Sequence, residues 1–330
     1  MRYRRFGRLG WSVSEIGYGM WGMAGWTGSA DEESRESLRE AWRLGCNFFD
    51  TAWAYGRGHS ERLLGELARE GGRARGASDG RMLVTASKIP PKNFEWPSRR
   101  ESTLDEVFPP DHIREYAERT LENLGIGRVS LMQFHVWEDA WAHDERWQRA
   151  VDDLKREGLV GGIGISINRW EPWNGLETVR TGLIDAVQVI YNVFDQAPED
   201  ELFPLCRERD VAVIARVPFD EGSLTGLLTK QSTWPEEDFR HRYFGAENLA
   251  ESVDRADAVK EMLPARMSLS ELALRFILSN DDVSTVIPGM RKLAHVRSNT
   301  AASDAGPLSR DLVAALRAHR WDREPAAWSA

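Results

Sequence analysis

Residues 47–70 of the chain read NFFDTAWAYGRGHSERLLGELARE. The segment Asn47–Phe49 is short and mostly apolar, which predicts a strand that is buried on both faces. The segment Glu61–Glu70 has the periodicity of an amphipathic helix, and Ser60 precedes it as a helix cap. The stretch therefore predicts one unit of strand, loop and helix, and the fold depends on how often this unit occurs.

The same unit occurs eight times along the chain. Strands that alternate with helices predict a parallel sheet, and eight units in series predict an α/β fold of the closed (β/α)8 TIM-barrel type, with residues 1–330 as a single domain. The predicted strands are Glu15–Tyr18, Asn47–Phe49, Met82–Ala86, Leu131–Phe134, Gly161–Ile165, Ala186–Ile190, Val211–Ala215 and Thr285–Ile287. The predicted helices are Glu33–Leu44, Glu61–Glu70, Asp111–Leu124, Asp144–Glu157, Trp173–Thr181, Pro198–Arg209, Leu249–Glu261 with Ser268–Ser279, and Lys292–Ala301.

A doubly wound dinucleotide-binding sheet is the competing architecture. It requires a glycine-rich turn that follows the first strand and leads directly into a helix. Gly17, Gly19 and Gly22 lie near the first strand, but the next helical pattern begins only near Glu33. The barrel is therefore the preferred fold.

Several segments lie outside the eight units. Tyr3–Ile16 predicts an N-terminal β-hairpin, and a further helix is expected at Arg310–His319. Pro90–Pro110 and Asp220–Gly245 predict long loops at the C-terminal face of the barrel, where such loops form or cover the site. The small, polar segment Gly71–Gly80 predicts a surface insertion.

Charge and composition narrow the function classes. The 330 residues include 43 Lys and Arg and 52 Asp and Glu, for a net charge of −9, so we expect no nucleic-acid partner. No apolar run approaches the ~18 residues of a membrane span, and the N-terminus lacks a signal peptide, so we expect no membrane partner and a cytoplasmic location. The only cysteines are Cys46 and Cys206, and no metal-ligand spacing occurs, so no metal site is predicted.

Polar residues stand at the predicted carboxyl ends of neighbouring strands, where barrel chemistry takes place. Asp50 follows the second strand, Tyr55 comes soon after it, Lys88 ends the third strand and His135 ends the fourth. A Lys ammonium beside a Tyr favours the phenolate and lowers its pKa from about 10. Asp50 would keep Lys88 charged, and His135 would hydrogen-bond a substrate oxygen. The four residues predict a general-acid site for the reduction of a carbonyl.

Several stretches, in the same order along the chain, resemble the signature of the aldo-keto reductase family. They are Phe49–Gly56 (FDTAWAYG) with Ser60-Glu61 and Leu64-Gly65, Ser87-Lys88, Gln133-Phe134-His135, Gly162–Ser166 (GIGIS) and Val286-Ile287-Pro288-Gly289. The resemblance runs from about Tyr3 to Asn299. It implies a (β/α)8 barrel that binds NADPH, less often NADH, and reduces aldehydes and ketones without a metal. By this resemblance Tyr55 is the proton donor, Lys88 and Asp50 tune it, and His135 orients the carbonyl.

The resemblance also implies a set of cofactor contacts. Ser166 and Gln188 would hold the nicotinamide carboxamide, the segment Gly222–Gly226 resembles one that folds over the pyrophosphate, and Asn299 falls at an adenine-contacting position. The implied cofactor-binding residues are Gly19, Met20, Trp21, Asp50, Ser166, Asn168, Gln188, Arg216, Pro218, Ser223, Leu224, Gly226, Ile287, Gly289, Arg291, His295 and Asn299.

Two positions depart from the family pattern beside the expected nicotinamide. The family has adjacent Ser and Asn at the end of the fifth strand, whereas this chain has Ser166-Ile167-Asn168, so Asn168 is expected to replace the usual Asn. The family has a stacking aromatic at the end of the seventh strand, where this chain has Arg216. A guanidinium can also stack, but its charge should weaken binding of NADP+ relative to NADPH.

The segment after the eighth strand bears on the choice between NADPH and NADH. Arg291 precedes a helix and is expected to bind the 2′-phosphate of NADP(H), since a helix N-terminus also favours an anion. His295 and Ser298 replace the Gln or Arg and the Glu that are usual in that helix. We expect a preference for NADPH.

The chain contains 14 Trp residues, and their positions divide into two groups. Trp21, Trp53 and Trp137 lie just beyond predicted strands and are expected to line the substrate site. Trp42 and Trp147 lie within helical patterns and are expected to pack in the core.

The predicted function is therefore NAD(P)H-dependent reduction of aldehydes or ketones, including sugar or aromatic carbonyls, by direct hydride transfer. One alternative is a non-catalytic NADPH-binding, redox-sensing subunit of the kind that associates with membrane channels. A second alternative is a metal-dependent sugar isomerase or hydrolase.

Overall fold

An antiparallel hairpin, β1 (Tyr3–Phe6) and β2 (Trp11–Ser14), begins the chain, as predicted. The computed structural model describes residues 1–25, 28, 30–73 and 80–324. Phe6 and Val13 are fully buried in the barrel interior, and the ring of Phe6 lies 5.4 Å from that of Phe48. The hairpin thus covers the amino-terminal end of the barrel and leaves the opposite end for the site.

Eight parallel strands follow, and each pairs with the next one along the chain. This order confirms the predicted α/β barrel. The strands are β3 (Tyr18–Gly19), β4 (Phe48–Asp50), β5 (Val84–Ile89), β6 (Val129–Phe134), β7 (Val160–Ser166), β8 (Ala186–Ile190), β9 (Ala212–Arg216) and β10 (Val283–Val286).

The first and last of these strands meet and close the barrel. The N–H of Gly17 donates to the carbonyl oxygen of Val286 at 2.8 Å, and the N–H of Gly19 donates to that of Pro288 at 3.0 Å. A Cβ atom on Gly19 would stand 2.5 Å from the carbonyl oxygen of Ile287, so only glycine allows this close approach.

Side chains of the strands alternate between two apolar cores, because successive residues of a strand point to opposite faces. Phe48, Ala86 and Ile214 lie in the inner core, whereas Phe49 and Val213 pack outward against the helices. The same alternation, continued to the carboxyl ends of the strands, turns another set of side chains towards the interior. These side chains are Asp50, Lys88, Gln133, Ser166, Gln188 and Arg216.

Twelve α-helices lie in the described part of the chain, and most of them pack around the barrel. Caps fix several boundaries: the Asp144 side chain accepts the N–H of Arg146, and Ser268 accepts that of Glu271. The helices are α1 (Asp31–Arg43), α2 (His59–Arg73), α3 (Leu104–Val107), α4 (Pro110–Leu124), α5 (Glu145–Arg156), α6 (Leu176–Thr181), α7 (Leu202–Arg209), α8 (Phe239–Tyr243), α9 (Ala246–Lys260), α10 (Leu269–Leu278), α11 (Leu293–Ala305) and α12 (Arg310–Arg317).

The structure differs from the sequence prediction mainly at boundaries. The predicted helix Pro198–Arg209 is interrupted, because Glu201 has a non-helical φ of −130° between a 3-10 turn, Ala197–Glu199, and α7. The long loop Pro90–Pro110 contains α3, and Asp220–Gly245 contains α8. In the predicted insertion Gly71–Gly80, residues 74–79 lie outside the described residues.

Among the described residues, no helix has both the length and the apolar composition of a membrane span.

Candidate active site

Asp50 and Lys88 form a buried ion pair on β4 and β5, with side chains that are 2% and 1% exposed. Lys88 Nζ donates to Asp50 Oδ1 and, at 2.9 Å, to the carbonyl oxygen of Thr51. The Nε2 groups of Gln133 and Gln188 donate to Asp50 Oδ2 at 3.0 and 2.9 Å. Burial opposes the charge on Lys88, but Asp50 and Tyr55 outweigh it, so the pKa of Lys88 is raised. The lysine therefore remains a fixed cation beside Tyr55.

Tyr55 stands over this cation, with Lys88 Nζ 5.2 Å from the centre of its ring. The sequence predicts a lowered pKa for the phenol, and this part of the prediction is wrong. Lys88 and Arg216 lower the pKa of Tyr55, but burial raises it by more, and Asp50 adds to the increase. The phenol is thus protonated at neutral pH and carries a proton that it can donate.

His135 completes the predicted group of four. Its ring centre lies 5.6 Å from that of Tyr55, and the two planes meet at 78°. Burial, Lys88 and Arg216 together hold the pKa of His135 well below 6.5, so the ring is neutral at neutral pH. Its Nδ1 is buried and has no hydrogen-bond partner among the described residues. A neutral imidazole retains one N–H with which to bind a substrate oxygen.

Aromatic side chains surround the cleft beside His135. Trp96, which is 38% exposed, lies 5.8 Å from His135 between ring centres, and Phe94 lies 6.1 Å from Trp96. Trp53 packs 6.4 Å from Phe94 between ring centres. Its place in the substrate-lining set stays a prediction. Neither Phe94 nor Trp96 was among the predicted site residues, because no local pattern in the sequence places the loop between β5 and α4 over the histidine.

A second aromatic contact joins the segment after β3 to helix α8. Trp21 is 39% exposed and meets Phe239 edge to face at 5.3 Å. The expected contact of Trp21 with substrate stays a prediction.

Trp137 is a correction to the predicted substrate-lining set. It is fully buried, its indole N–H donates to Thr178 Oγ1 at 2.7 Å, and it packs 5.4 Å from Trp147. The chain turns outward after His135, so Trp137 joins the core between strands and helices. Trp147 is buried as predicted, whereas Trp42 is only partly buried, under the guanidinium of Arg81.

The amide of Asn168 is engaged through its nitrogen only: its Oδ1 is buried without a partner among the described residues, so the expected contact with the nicotinamide stays a prediction. Its Nδ2 donates to Glu138 Oε1 at 2.8 Å and to Ser98 Oγ and the Trp137 carbonyl oxygen, each at 3.1 Å. The side chain that was expected to replace the family Asn thus ties together the loops after β5, β6 and β7. Ser166 remains on the inner face of β7, where it pairs in register with Gln188.

Arg216 ends β9 and extends towards the interior of the barrel, in line with Ala212 and Ile214. Its Nη2 donates to the carbonyl oxygen of Ile167 at 3.1 Å, so the side chain spans the space between the ends of β9 and β7.

The segment after β9 contains the expected residues Pro218, Ser223, Leu224 and Gly226. Ser223 and Leu224 are buried, and Ser223 Oγ donates to Asp220 Oδ2 at 2.7 Å. These two side chains face the protein, so a cofactor at this segment would meet backbone groups.

One residue that holds this segment was missed in the sequence, Arg323 near the C-terminus. Its Nη2 donates to Asp195 Oδ2 at 2.5 Å and to Asp220 Oδ1 at 2.8 Å, and its Nη1 donates to the Tyr243 hydroxyl at 3.1 Å. An arginine in a polar tail carries no local signal of burial.

Basic residues gather after β10, where the resemblance places the adenine end of the cofactor. Arg291 and Lys292 precede α11, whose first turn has no side-chain cap. Partial burial and the charges of Lys292 and Arg291 lower the pKa of His295. Asn299 is buried on the same helix. This end of the site is locally positive on a protein whose net charge is −9.

The remaining expected cofactor residues lie where β3 meets the segment after β10. Gly19 pairs with Gly289, and Ile287 belongs to the inner core. Met20 is fully buried, and its N–H donates to the carbonyl oxygen of Asp50 at 2.9 Å.

Within residues 1–25, 28, 30–73 and 80–324, no three His, Cys, Asp or Glu side chains are grouped so that they could hold a metal ion.

Comparisons with known proteins give one family and several relatives. The model of the Aldo/keto reductase family matches residues 15–320. The NADH-specific methylglyoxal reductase of Escherichia coli K12 is 27% identical over 327 residues, covering 92% of this chain and 96% of the relative. The NADP(+) aldo-keto reductase yakc of Schizosaccharomyces pombe is 26% identical over 303 residues, covering 88% and 84%. The holo form of aldo-keto reductase AKR11C1 from Bacillus halodurans has a TM-score of 0.76 at 25% identity and covers 100% of both chains.

Proposed function

Because this chain belongs to the aldo/keto reductase family, we propose that it reduces aldehydes or ketones to alcohols with a nicotinamide dinucleotide. The observation that carries the proposal is the meeting of Tyr55, the Asp50–Lys88 ion pair and neutral His135 at one end of the barrel. A proton donor, a fixed cation and a neutral hydrogen-bond donor are the groups that a carbonyl oxygen needs as it becomes an alkoxide.

Each of these residues has a definable part in the reaction. When bound, a reduced nicotinamide supplies the hydride to the carbonyl carbon. Tyr55 keeps its proton until the carbonyl oxygen becomes strongly basic, because burial raises the pKa of the phenol. Lys88 stabilises the phenolate that remains, and Asp50 with its two Gln donors keeps the ammonium in place. His135 orients the oxygen through its N–H.

The cleft walls support a substrate with an apolar or ring-bearing carbonyl. Trp53, Phe94 and Trp96 lie on the side of His135, and Trp21 lies with Phe239 on a second wall. Aromatic faces also stack on sugars, so sugar carbonyls belong to the same proposal.

The residues after β10 support NADPH as the preferred reductant. Arg291 and Lys292 stand at the uncapped start of α11, where backbone N–H groups add to their positive charge. An arginine fork suits a 2′-phosphate. Gly19, Ser166 and Gln188 lie along the path that the resemblance gives to the rest of the cofactor, although the amide of Gln188 is shared with Asp50.

The proposal is tested by NADPH consumption with an aromatic aldehyde. We expect turnover by the wild-type protein and a fall of about 10²- to 10⁴-fold in kcat for Tyr55→Phe, which removes only the hydroxyl. An unchanged rate in Tyr55→Phe would exclude the mechanism. A protein that binds NADPH but reduces no carbonyl would instead be the non-catalytic subunit.

The choice of nucleotide needs a separate measurement. We expect a higher kcat/KM with NADPH than with NADH, and a decrease in that ratio of about tenfold in Arg291→Ala, since a charge-assisted hydrogen bond contributes about 1.5–3 kcal/mol. Arg297→Ala is the matched control, because Arg297 lies on the same helix but pairs with Glu40. Equal use of both nucleotides by the wild type, unaltered in Arg291→Ala, would contradict the preference.

A further inference from the structure

Three arginines extend into the same side of the C-terminal end of the barrel, and two of them are neutralised. Arg169 pairs with Glu221 at 2.7 Å, and Arg323 pairs with Asp195 and Asp220 at 2.5 and 2.8 Å. The side chains of these two arginines are 16% and 3% exposed. Each of these two arginines is therefore accompanied by at least one carboxylate.

Arg216 is the exception. Only one of its five N–H donors has an acceptor among the described residues, the carbonyl oxygen of Ile167. Its Nε is buried without a partner, and it forms no ion pair within the described part of the chain. A partly buried guanidinium without a counter-ion is costly.

The pKa values of the site reflect the lack of a counter-ion beside Arg216. Burial and the charge of Arg169 lower the pKa of Arg216 to about 10, against weaker contributions from Glu221, Tyr55 and Asp195. The charge of Arg216 in turn lowers the pKa of both Tyr55 and His135. Arg216 is thus close enough to the reacting groups to act on whatever binds between them.

We propose that Arg216 is the anion-binding residue of this cleft and that its missing counter-ion arrives with a reactant. The anion is a carboxylate or a phosphate, since both match the planar fork of a guanidinium. It has two possible sources: a carboxylate on the carbonyl substrate, such as an aryl 2-oxo acid, or a phosphate of the cofactor. The inference rests on the proposed function, because the anion enters with the substrate or cofactor of that reaction.

The substrate arm compares phenylglyoxylate with its methyl ester, which has the same ring and ketone but no charge. If the anion belongs to the substrate, wild type prefers the acid, and Arg216→Gln reduces the acid-to-ester ratio of kcat/KM by tenfold or more. Arg216→Lys recovers part of the ratio, because it restores a charge without the fork. Arg320→Gln is the control, since Arg320 forms partly exposed pairs with Asp200 and Asp322 and should leave the ratio unchanged.

The cofactor arm measures the Kd of NADPH by quenching of tryptophan fluorescence, without substrate. If the anion is a cofactor phosphate, Arg216→Gln raises this Kd tenfold or more. Added inorganic pyrophosphate then competes with NADPH for binding to wild type, and competes less for binding to the variant. Arg216→Lys binds NADPH more tightly than Arg216→Tyr does. If Arg216→Tyr restores binding and Arg216→Lys does not, the residue acts by stacking and the proposal is overturned.

The proposal is also overturned if neither ratio nor Kd changes in Arg216→Gln. Failure of the proposed function gives a different result: wild type then reduces neither the acid nor the ester. The binding of phenylglyoxylate and NADPH to wild type and Arg216→Gln can still be compared by fluorescence in that case, and equal binding of both ligands to the two proteins would refute the anion site by itself.

Discussion

The Asp50–Lys88 pair and the Arg323–Asp195–Asp220 cluster are both buried groups of charges at the same end of the barrel. The first lies on two neighbouring strands, and its lysine is 5.2 Å from the ring centre of Tyr55. The second joins the C-terminal tail to the segments after β8 and β9, and its guanidinium is stacked between Trp170 and Trp321 at 4.6 and 4.5 Å.

The difference between them shows that burial of charge does not by itself mark a reactive site. Structural ion pairs also perturb pKa values. What distinguishes the Asp50–Lys88 pair is its neighbour, a protonated phenol beside a neutral imidazole. The Arg323 guanidinium instead donates to the Tyr243 hydroxyl and packs against indole rings. We therefore expect the first group to control chemistry and the second to control stability.

The largest expected effect is that of Asp50→Asn. The substitution leaves Lys88 buried without an anion, so its pKa falls and it no longer stabilises the phenolate of Tyr55. We expect kcat to fall by 10²-fold or more, together with a loss of about 3 kcal/mol in the free energy of unfolding. Steady-state kinetics and urea unfolding measure the two effects.

The double variant Asp50→Asn with Lys88→Met separates these effects. Removal of both charges should recover much of the stability, because a neutral pair needs no counter-ion, while kcat stays low. Recovery of activity together with stability would show that the pair has only a structural role.

Arg323→Gln should lower stability, and its effect on the reaction should be confined to cofactor binding at the segment after β9. It leaves Asp195 and Asp220 buried without their shared cation, at an expected cost of about 3 kcal/mol in unfolding free energy. At a temperature where the variant is folded, kcat should remain within about threefold of wild type, in contrast to the ~10²-fold effect of general-acid groups.

Arg320→Gln is the matched control three residues away. Arg320 pairs with Asp200, and the two side chains are 33% and 54% exposed. Such a pair contributes about 1 kcal/mol at most. A loss in Arg320→Gln as large as that in Arg323→Gln would attribute the effect to the tail in general.

His135 should have a smaller effect on the free energy of unfolding, and this effect should depend on pH. Its pKa in the folded protein lies well below 6.5, so below that pH the unfolded chain binds a proton that the folded protein does not. This residue therefore makes the protein less stable as the pH falls below about 6.5. Between pH 7.5 and 5.5 the wild type should lose about 1 kcal/mol more unfolding free energy than His135→Gln.

Urea unfolding of both proteins at several pH values measures this difference. Parallel pH profiles would show that His135 titrates normally in the folded protein. The Arg323→Gln variant, which retains His135, should keep the wild-type dependence on this residue.

The barrel and the positions of Asp50 and Lys88 at its carboxyl end could be predicted from the sequence, because both depend on local patterns. A short apolar strand fixes the alternation of its side chains, and this alternation carries Asp50 and Lys88 to the interior at the strand ends. The same argument places Arg216 inside the barrel. Boundaries shifted by a few residues, since helix ends depend on caps and on contacts with other segments.

The sequence could not predict the contacts of three residues, because these contacts are made with distant segments or with the core. The three residues are Asn168, Trp137 and Arg323. Asn168 is held by Glu138 and Ser98, 30 and 70 residues away in sequence. Arg323 is held by Asp195, 128 residues away. Trp137 lies just beyond a strand, where alternation no longer determines which way a side chain points.

The smallest expected effect is in fluorescence, and it tests which tryptophans face the cleft. Trp96 lies 5.8 Å from His135, whereas Trp321 lies against Arg323 and Trp137 is fully buried. Binding of an aromatic aldehyde should quench tryptophan emission, and Trp96→Phe should remove part of that quench. Trp321→Phe and Trp137→Phe should leave the quenched intensity unchanged, because neither indole meets the ligand. If Trp321→Phe instead removes the quench, a ligand reaches the Arg323 cluster, and the division between a reactive and a structural group of charges is wrong.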